Sequence, residues 1–218
     1  MKSMEIEFFD TPYKYLIVDN FLPGDDFKKI QNYPEEIFED DYTLGRFQHR
    51  KYTVGKSNNS DLDHVNACKE SAIHIWDNYY EKLMNNDIDQ RDQFTNFAVD
   101  FQRMGPPPLK SSLRGSVHPD SEIKLMSIVL YISEHGTGTY LHDPTGYYMD
   151  GEIIKETKQG TDTFVKEIEW KQNRAFIFVR NRYDNDFPLT VHSIRNNTEY
   201  LRDTAVIFIQ KPKVKNVT

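Results

Sequence analysis

Residues 124–133 read KLMSIVLYIS (Lys124–Ser133), a short run rich in β-branched and aromatic residues that predicts a strand. Six further segments of the same kind surround it: Phe97–Arg103, Gly138–His142, Thr163–Glu169, Ala175–Val179, Leu189–Ile194 and Thr204–Gln210. Polar, Gly or Pro stretches separate them, and short strands at such spacing indicate a sandwich or barrel rather than βαβ units. Nearer the N-terminus, alternation over 13–20 predicts another strand, preceded by a shorter one at Ile6–Phe9. Pro23, Gly24 and Asp25 then open a short helix with Phe27, Ile30 and Tyr33 on one face. From 60 or 61 to about 85 runs an amphipathic helix, with Leu62, Val65, Cys68, Ala72, Trp76, Tyr79, Leu83 and Met84 at steps of three and four. The expected architecture is one domain: a helical or mixed support region at 1–95, a β core at 96–210 and a tail at 211–218. Residues 34–58 and 104–117 read as long loops.

The chain has 218 residues, enough to bury a real core, with 27 Lys+Arg against 34 Asp+Glu and a net charge of −7. This mildly acidic balance argues against nucleic acid or an anionic membrane as the main partner. Cys68 is the one cysteine, so an intramolecular disulfide and a Cys-based zinc site are both excluded. With no apolar segment in MKSMEIEFFD and no run of 18 apolar residues, the expected location is cytoplasmic.

The chemistry concentrates in the β half. His118-Pro119-Asp120 places two side chains, two residues apart, on one side of an extended segment, and His192 lies in a second predicted strand. Two imidazoles and a carboxylate form the facial set that holds non-heme Fe(II) with open positions. By itself a His-x-Asp triplet is weak, because Asp also caps turns. Arg202, ten residues after His192, shares a face with Thr204, Val206 and Phe208, whereas Asp203 faces the other way. An inward Arg is costly without an anion, and its planar fork suits a carboxylate. Ser127 and Tyr131 add hydroxyls on the facing wall, so that Tyr131, Arg202 and Thr204 could hold a carboxylate at the floor of a pocket with the metal at its mouth. A salt bridge from Arg202 to Asp203 or Glu199 is the structural alternative.

The ordered set His118-Pro119-Asp120, Lys124–Ser133, Gly138-Thr139-Tyr140-Leu141, Asn173-Arg174-Ala175-Phe176-Ile177-Phe178 and His192 to Arg202-Asp203-Thr204 resembles the Fe(II)/2-oxoglutarate-dependent dioxygenases of the prolyl 4-hydroxylase type. Phe21-Leu22-Pro23 before a helix also resembles how those domains begin. The resemblance covers about 95–210 and, more loosely, 12–33. It implies a double-stranded β-helix (jelly-roll) core covered by N-terminal helices, with His118, Asp120 and His192 as iron ligands. Arg202 would bind the distal carboxylate of 2-oxoglutarate, Tyr131 would hydrogen-bond to it, and Thr204 and Ser127 would complete the cosubstrate site. The implied cofactors are Fe(II) and 2-oxoglutarate with O₂, and ascorbate as an accessory. The implied reaction is hydroxylation of a peptidyl residue, proline first. A free amino acid or other small molecule under the same chemistry, and a non-catalytic jelly-roll module, are the alternatives. The chain departs from the family at Arg103, where a Tyr is commoner, so Arg103 is a candidate substrate contact together with Arg50 and Arg114 in the two long loops. His135 and His142 read as exposed turn residues, and Trp170 as core or rim filler.

Overall fold

The computed structural model describes residues 3–38, 47–53, 62–84, 91–94, 96–105, 117–121, 123–150, 153–156, 164–180, 190–194 and 201–211. In chain order the elements are β1 (Glu5–Phe9), β2 (Tyr15–Asp19), α1 (Gly24–Gln31), α2 (Tyr33–Ile37), β3 (Phe47–Thr53), α3 (Leu62–Leu83), β4 (Asn96–Met104) and β5 (Lys124–Tyr131). They continue with β6 (Thr139–His142), β7 (Tyr147–Asp150), β8 (Ile153–Glu156), β9 (Phe164–Ile168), β10 (Ala175–Val179), β11 (His192–Ile194) and β12 (Arg202–Gln210). A seven-stranded sheet runs β1-β2-β10-β5-β12-β4-β3, a three-stranded sheet runs β11-β6-β9, and β7-β8 form a ribbon. All pairings are antiparallel.

Period-two alternation sorts the strand residues into two cores. Along β10, Ala175, Ile177 and Val179 face the helices, while Phe176 and Phe178 face the small sheet. Along β12, Ala205, Ile207 and Ile209 do the former and Val206 the latter. α3 buries Val65, Cys68, Ala72, Ile75, Trp76, Tyr80 and Leu83 against the large sheet, and α1 adds Phe27 and Ile30 to the same cluster. The protein is therefore mainly β, a jelly-roll core with N-terminal helices over one face. No helix among the described residues is long and apolar enough to cross a membrane.

Two features correct the sequence reading. Part of the expected 34–58 loop is structured: α2 occupies its start and β3 pairs along β4 as the edge of the large sheet. The core of β3, Gln48-His49-Arg50-Lys51, is polar, so its strand state comes from cross-strand pairing rather than local propensity. The N-terminal support region also contributes three strands to the large sheet. The joint is stapled at Asn173, which adopts φ 60° and both accepts from and donates to the backbone of Leu22 at 2.9 Å. Next to it, Arg174 grips Asp19 with Nε–Oδ1 at 2.7 Å and a second guanidinium bond at 3.0 Å.

Candidate metal and cosubstrate site

The site lies between the two sheets. His118 and His192 form an isolated antiparallel bridge, with backbone N–H···O bonds of 3.0 and 3.1 Å in the two directions. That bridge sets their rings 4.6 Å apart. Asp120 follows two residues later, and one ligand atom from each of the three falls within 4.8 Å of the others. The spacing suits coordination of one ion. The Nδ1 of His192 lies 3.2 Å from the carbonyl of Thr190, which can only accept. Nδ1 therefore carries the proton and Nε2 is the ligand atom. Burial, reinforced by neighbouring His118, pushes the His192 imidazole down to about 3, so it is neutral and ready to ligate. Burial opposes ionisation of Asp120, but the Lys124 ammonium and the Ser127 hydroxyl outweigh it and hold the carboxyl down at about 2. Two neutral imidazoles and one anionic carboxylate are the donor set that Fe(II) takes.

From the triad a cavity of about 100 Å³ runs to Arg202, past Thr139, Val206 and Phe208. Arg202 is 2% exposed. Its Nε donates to the carbonyl of Thr137 at 3.0 Å, and its guanidinium carbon sits 5.8 Å from the Tyr131 ring and 5.4 Å from the Trp170 ring. Tyr131 and Trp170 stack on each other at 4.4 Å, so that the cation lies against a pair of layered rings. Among the described residues no carboxylate pairs with Arg202. The acid beside it in sequence, Asp203, points to the opposite face and receives the fork of Arg103 at 2.8 and 2.9 Å. Asp203 is thereby removed as a salt-bridge partner of Arg202, while Glu199, the other acid of that alternative, lies outside the described residues. Burial pushes its guanidinium down to about 10, still charged at neutral pH. The hydroxyl of Thr204, fully buried, has no hydrogen-bond partner among the described residues. A buried cation without an anion and an unsatisfied hydroxyl beside it fit a carboxylate-bearing ligand.

The other expected residues fall as follows. Tyr131 gives its hydroxyl to Thr139 at 2.9 Å, and Thr139, which lines the cavity, is the residue placed to relay that contact. Ser127 donates to Oδ2 of Asp120. It therefore braces a metal ligand rather than the cosubstrate carboxylate, a correction that follows from its distance along β5 from Arg202. Arg103 is corrected as a substrate contact: β4 turns it away from the cavity, and it is buried between Asp203 and Glu35. Arg50 lies on β3 with its side chain outside the described residues, and Arg114 lies outside them altogether.

His135 is exposed as expected, but His142 is buried at 7% and pairs its Nε2 with Ser193 Oγ at 2.8 Å. It braces the strand that carries His192. Lys124 and Trp170 are the residues that sequence reasoning missed. Their signal was positional: Lys124 opens the strand after the triplet, four residues from Asp120, and Trp170 ends the segment before the Asn173 turn.

Comparison with solved structures agrees with this architecture. The viral collagen prolyl hydroxylase of Paramecium bursaria Chlorella virus-1, in its 2OG complex, matches with a TM-score of 0.56 over 91% of this chain and 96% of that one, at 11% identity. A truncated form of the same enzyme matches with a TM-score of 0.52 over 98% and 97%, again at 11% identity. A Pseudomonas putida prolyl-4-hydroxylase matches with a TM-score of 0.50 over 91% and 92%, at 14% identity. The chain shares the fold of these prolyl hydroxylases. No family model matches it, and no curated protein is similar to it in sequence.

Proposed function

We propose that the chain is an Fe(II)/2-oxoglutarate-dependent dioxygenase that hydroxylates a peptidyl residue, proline first. The observation that carries this reading is one cavity with His118, Asp120 and His192 at one end and, at the other, a buried Arg202 that has no carboxylate partner among the described residues. A dianionic cosubstrate that chelates a metal through one end and presents a second carboxylate at the other matches both ends at once. Bound there, Fe(II) and 2-oxoglutarate supply the oxidising chemistry, consuming O₂ and releasing succinate and CO₂ as a C–H bond becomes C–OH. The chain's own part is geometric and electrostatic. His118, Asp120 and His192 would hold the ion, and Ser127 fixes the Asp120 carboxylate. Arg202, held against Tyr131 and Trp170, would bind the distal carboxylate, with Thr204 and Thr139 offering hydroxyls beside it. Aromatic and aliphatic walls, Val206 and Phe208 among them, exclude water. Arg50 and Arg114 stand as substrate contacts under this reading. Burial of Cys68, whose thiol is pushed up to about 12, leaves no reactive thiol to compete with the metal centre.

Anaerobic titration with Fe(II) and then 2-oxoglutarate tests the proposal through the visible charge-transfer band of an Fe(II)–2-oxo acid chelate. A band in the wild type that is lost in His192→Ala, and that needs more 2-oxoglutarate in Arg202→Ala, is the expected result. No band, or one indifferent to both substitutions, would leave a jelly-roll binding module as the reading.

A further inference from the structure

The cavity holds a second cation that the cosubstrate does not use. Lys124 projects from the start of β5 into the cavity wall, 19% exposed at its side chain, and its ammonium lies 2.5 Å from Oδ1 of Asp120. The same ammonium sits 4.0 Å over the ring of Phe208, and Lys51 approaches that ring from β3 at 5.1 Å. Among the described residues Asp120 is the one carboxylate paired with Lys124. Both oxygens of Asp120 are therefore engaged, Oδ1 by Lys124 and Oδ2 by Ser127.

A divalent ion held by Asp120 takes over that carboxylate, and the ammonium then faces a cation across it. The remaining charges close without Lys124. The ion is balanced by Asp120 and the near carboxylate of 2-oxoglutarate, and Arg202 is balanced by the far one. Lys124 is left as one positive charge on the cavity wall beside the metal site. Its flexible stem and three donors suit a single anionic oxygen group, while Phe208 limits where the ammonium can go. We infer that Lys124 is a substrate-specificity residue, and that the substrate bears a carboxylate close to the carbon that is oxidised. This inference rests on the Fe(II)/2-oxoglutarate reading and adds the chemical class of the substrate. The carboxylate could belong to a free amino acid or to an acidic side chain in a peptide, and the test separates these sources.

The test uses the full chain loaded anaerobically with Fe(II) and 2-oxoglutarate. The probes are free amino acids, each against its amide, and blocked proline peptides carrying Glu at each position, each against the Gln counterpart. Perturbation of the charge-transfer band reports binding next to the metal. The expected result is that at least one acid acts at concentrations about tenfold or more below its neutral partner. Lys124→Met should erase that preference and Lys124→Arg should keep it, with the unperturbed band formed at wild-type 2-oxoglutarate concentrations in both. Preference among the free acids assigns a small-molecule substrate, and preference among the peptides assigns an acidic sequence. Fe(II) binding without 2-oxoglutarate is a second readout: Lys124→Met should bind Fe(II) at least as tightly as wild type, because the competing ammonium is gone. The inference is overturned if no acid outperforms its neutral partner, whether both bind or neither does. It is also overturned if the preference survives Lys124→Met, or if that variant binds Fe(II) more weakly, which would make Lys124 a prop for Asp120. Absence of any band in the wild type would overturn the cofactor reading first and this inference with it.

Discussion

Two arginines, Arg103 and Arg202, are each 2% exposed, yet their replacement by methionine should have opposite consequences. Arg103 is matched: its fork meets Asp203 at 2.8 and 2.9 Å and also reaches Glu35. Removing it strands Asp203, whose carboxyl burial already pushes up and Arg103 pulls down. Loss of one member of such a pair costs about 3–5 kcal/mol. Arg202 has no carboxylate partner among the described residues. Burial lowers its guanidinium to about 10, and a fall of that size from the ordinary arginine value corresponds to about 3 kcal/mol held against the folded state. Arg202→Met relieves this strain. Against it stand the hydrogen bond to Thr137, about 1–3 kcal/mol if that carbonyl stays dry, and the aromatic contact, about 0.5–2 kcal/mol. Thr137 is only half-buried, so water can reach its carbonyl, and the methionine thioether recovers about 0.3–1.5 kcal/mol on Tyr131 and Trp170. The opposing effects nearly cancel. Arg202→Met should therefore unfold within about 1 kcal/mol of wild type, whereas Arg103→Met should lose several. Urea unfolding of the metal-free protein in chelator measures both. In the same proteins, 2-oxoglutarate affinity of the Fe(II) form should fall in Arg202→Met by a few hundred- to a few thousand-fold, on the order of 3–5 kcal/mol. If Arg202→Met is destabilised as much as Arg103→Met, the cavity does not hold an open anion site and the reasoning fails.

Three further outcomes follow from named contacts. Ser127→Ala should weaken Fe(II) binding by about 10–100-fold by equilibrium titration while leaving the fold unchanged by circular dichroism, because the hydroxyl only orients Asp120. Asp19 is half-buried, which would raise its carboxyl, but bonds to Arg174 and Lys171 outweigh this and lower it below the ordinary value. Its contribution to stability is thus present above the unfolded carboxyl pKa of about 3.9 and fades as pH falls through the lower folded value. Asp19→Asn should accordingly flatten the acid limb of the stability–pH curve and lower stability at pH 7. Finally, a Cβ on Gly138 would run into the backbone carbonyl of Ile168 on the neighbouring strand. Gly138→Ala should therefore push β6 from β9 and cost more than about 2 kcal/mol by thermal unfolding.

Much of the β core was legible because its strands carry their own signal. β10 forms over the predicted Ala175–Val179, and α3 spans Leu62–Leu83 within the predicted helix. The alternation that sends Arg202 and Asp203 to opposite faces was also readable, since a strand has a fixed period. β3 was not readable: its polar core becomes a strand only because β4 offers an unpaired edge. β7 and β8 were missed as well, each being four residues long and paired only with the other. At the site, residue types and spacing announced the triad, but pair partners depend on cross-strand register. Arg103 and Asp203 are 100 residues apart, so nothing local says that they meet. His142 misled for the same reason, as its turn-like context gives no hint that Ser193 will close over it.

The charge pattern of β12 shows how much of the chemistry rests on that register. Arg202 pairs opposite Met104 and Asp203 opposite Arg103, while Thr204 sits between Gln102 on β4 and Tyr131 on β5. A slip of β12 by one residue would exchange its two faces. Asp203 would then face the cavity that Asp120 already lines, and Arg202 would meet Arg103 in the helix-covered core. Both placements put like charges together out of water, so the mispaired register is penalised twice over and the native one is selected by electrostatics as well as by Ala205, Ile207 and Ile209 packing on the helices. The Arg103–Asp203 pair thus does more than hold two strands together. By occupying the one acid that adjoins Arg202, it keeps the cavity cation available for an anion from solution, which is why breaking it should impair cosubstrate binding even in whatever fraction of the variant stays folded.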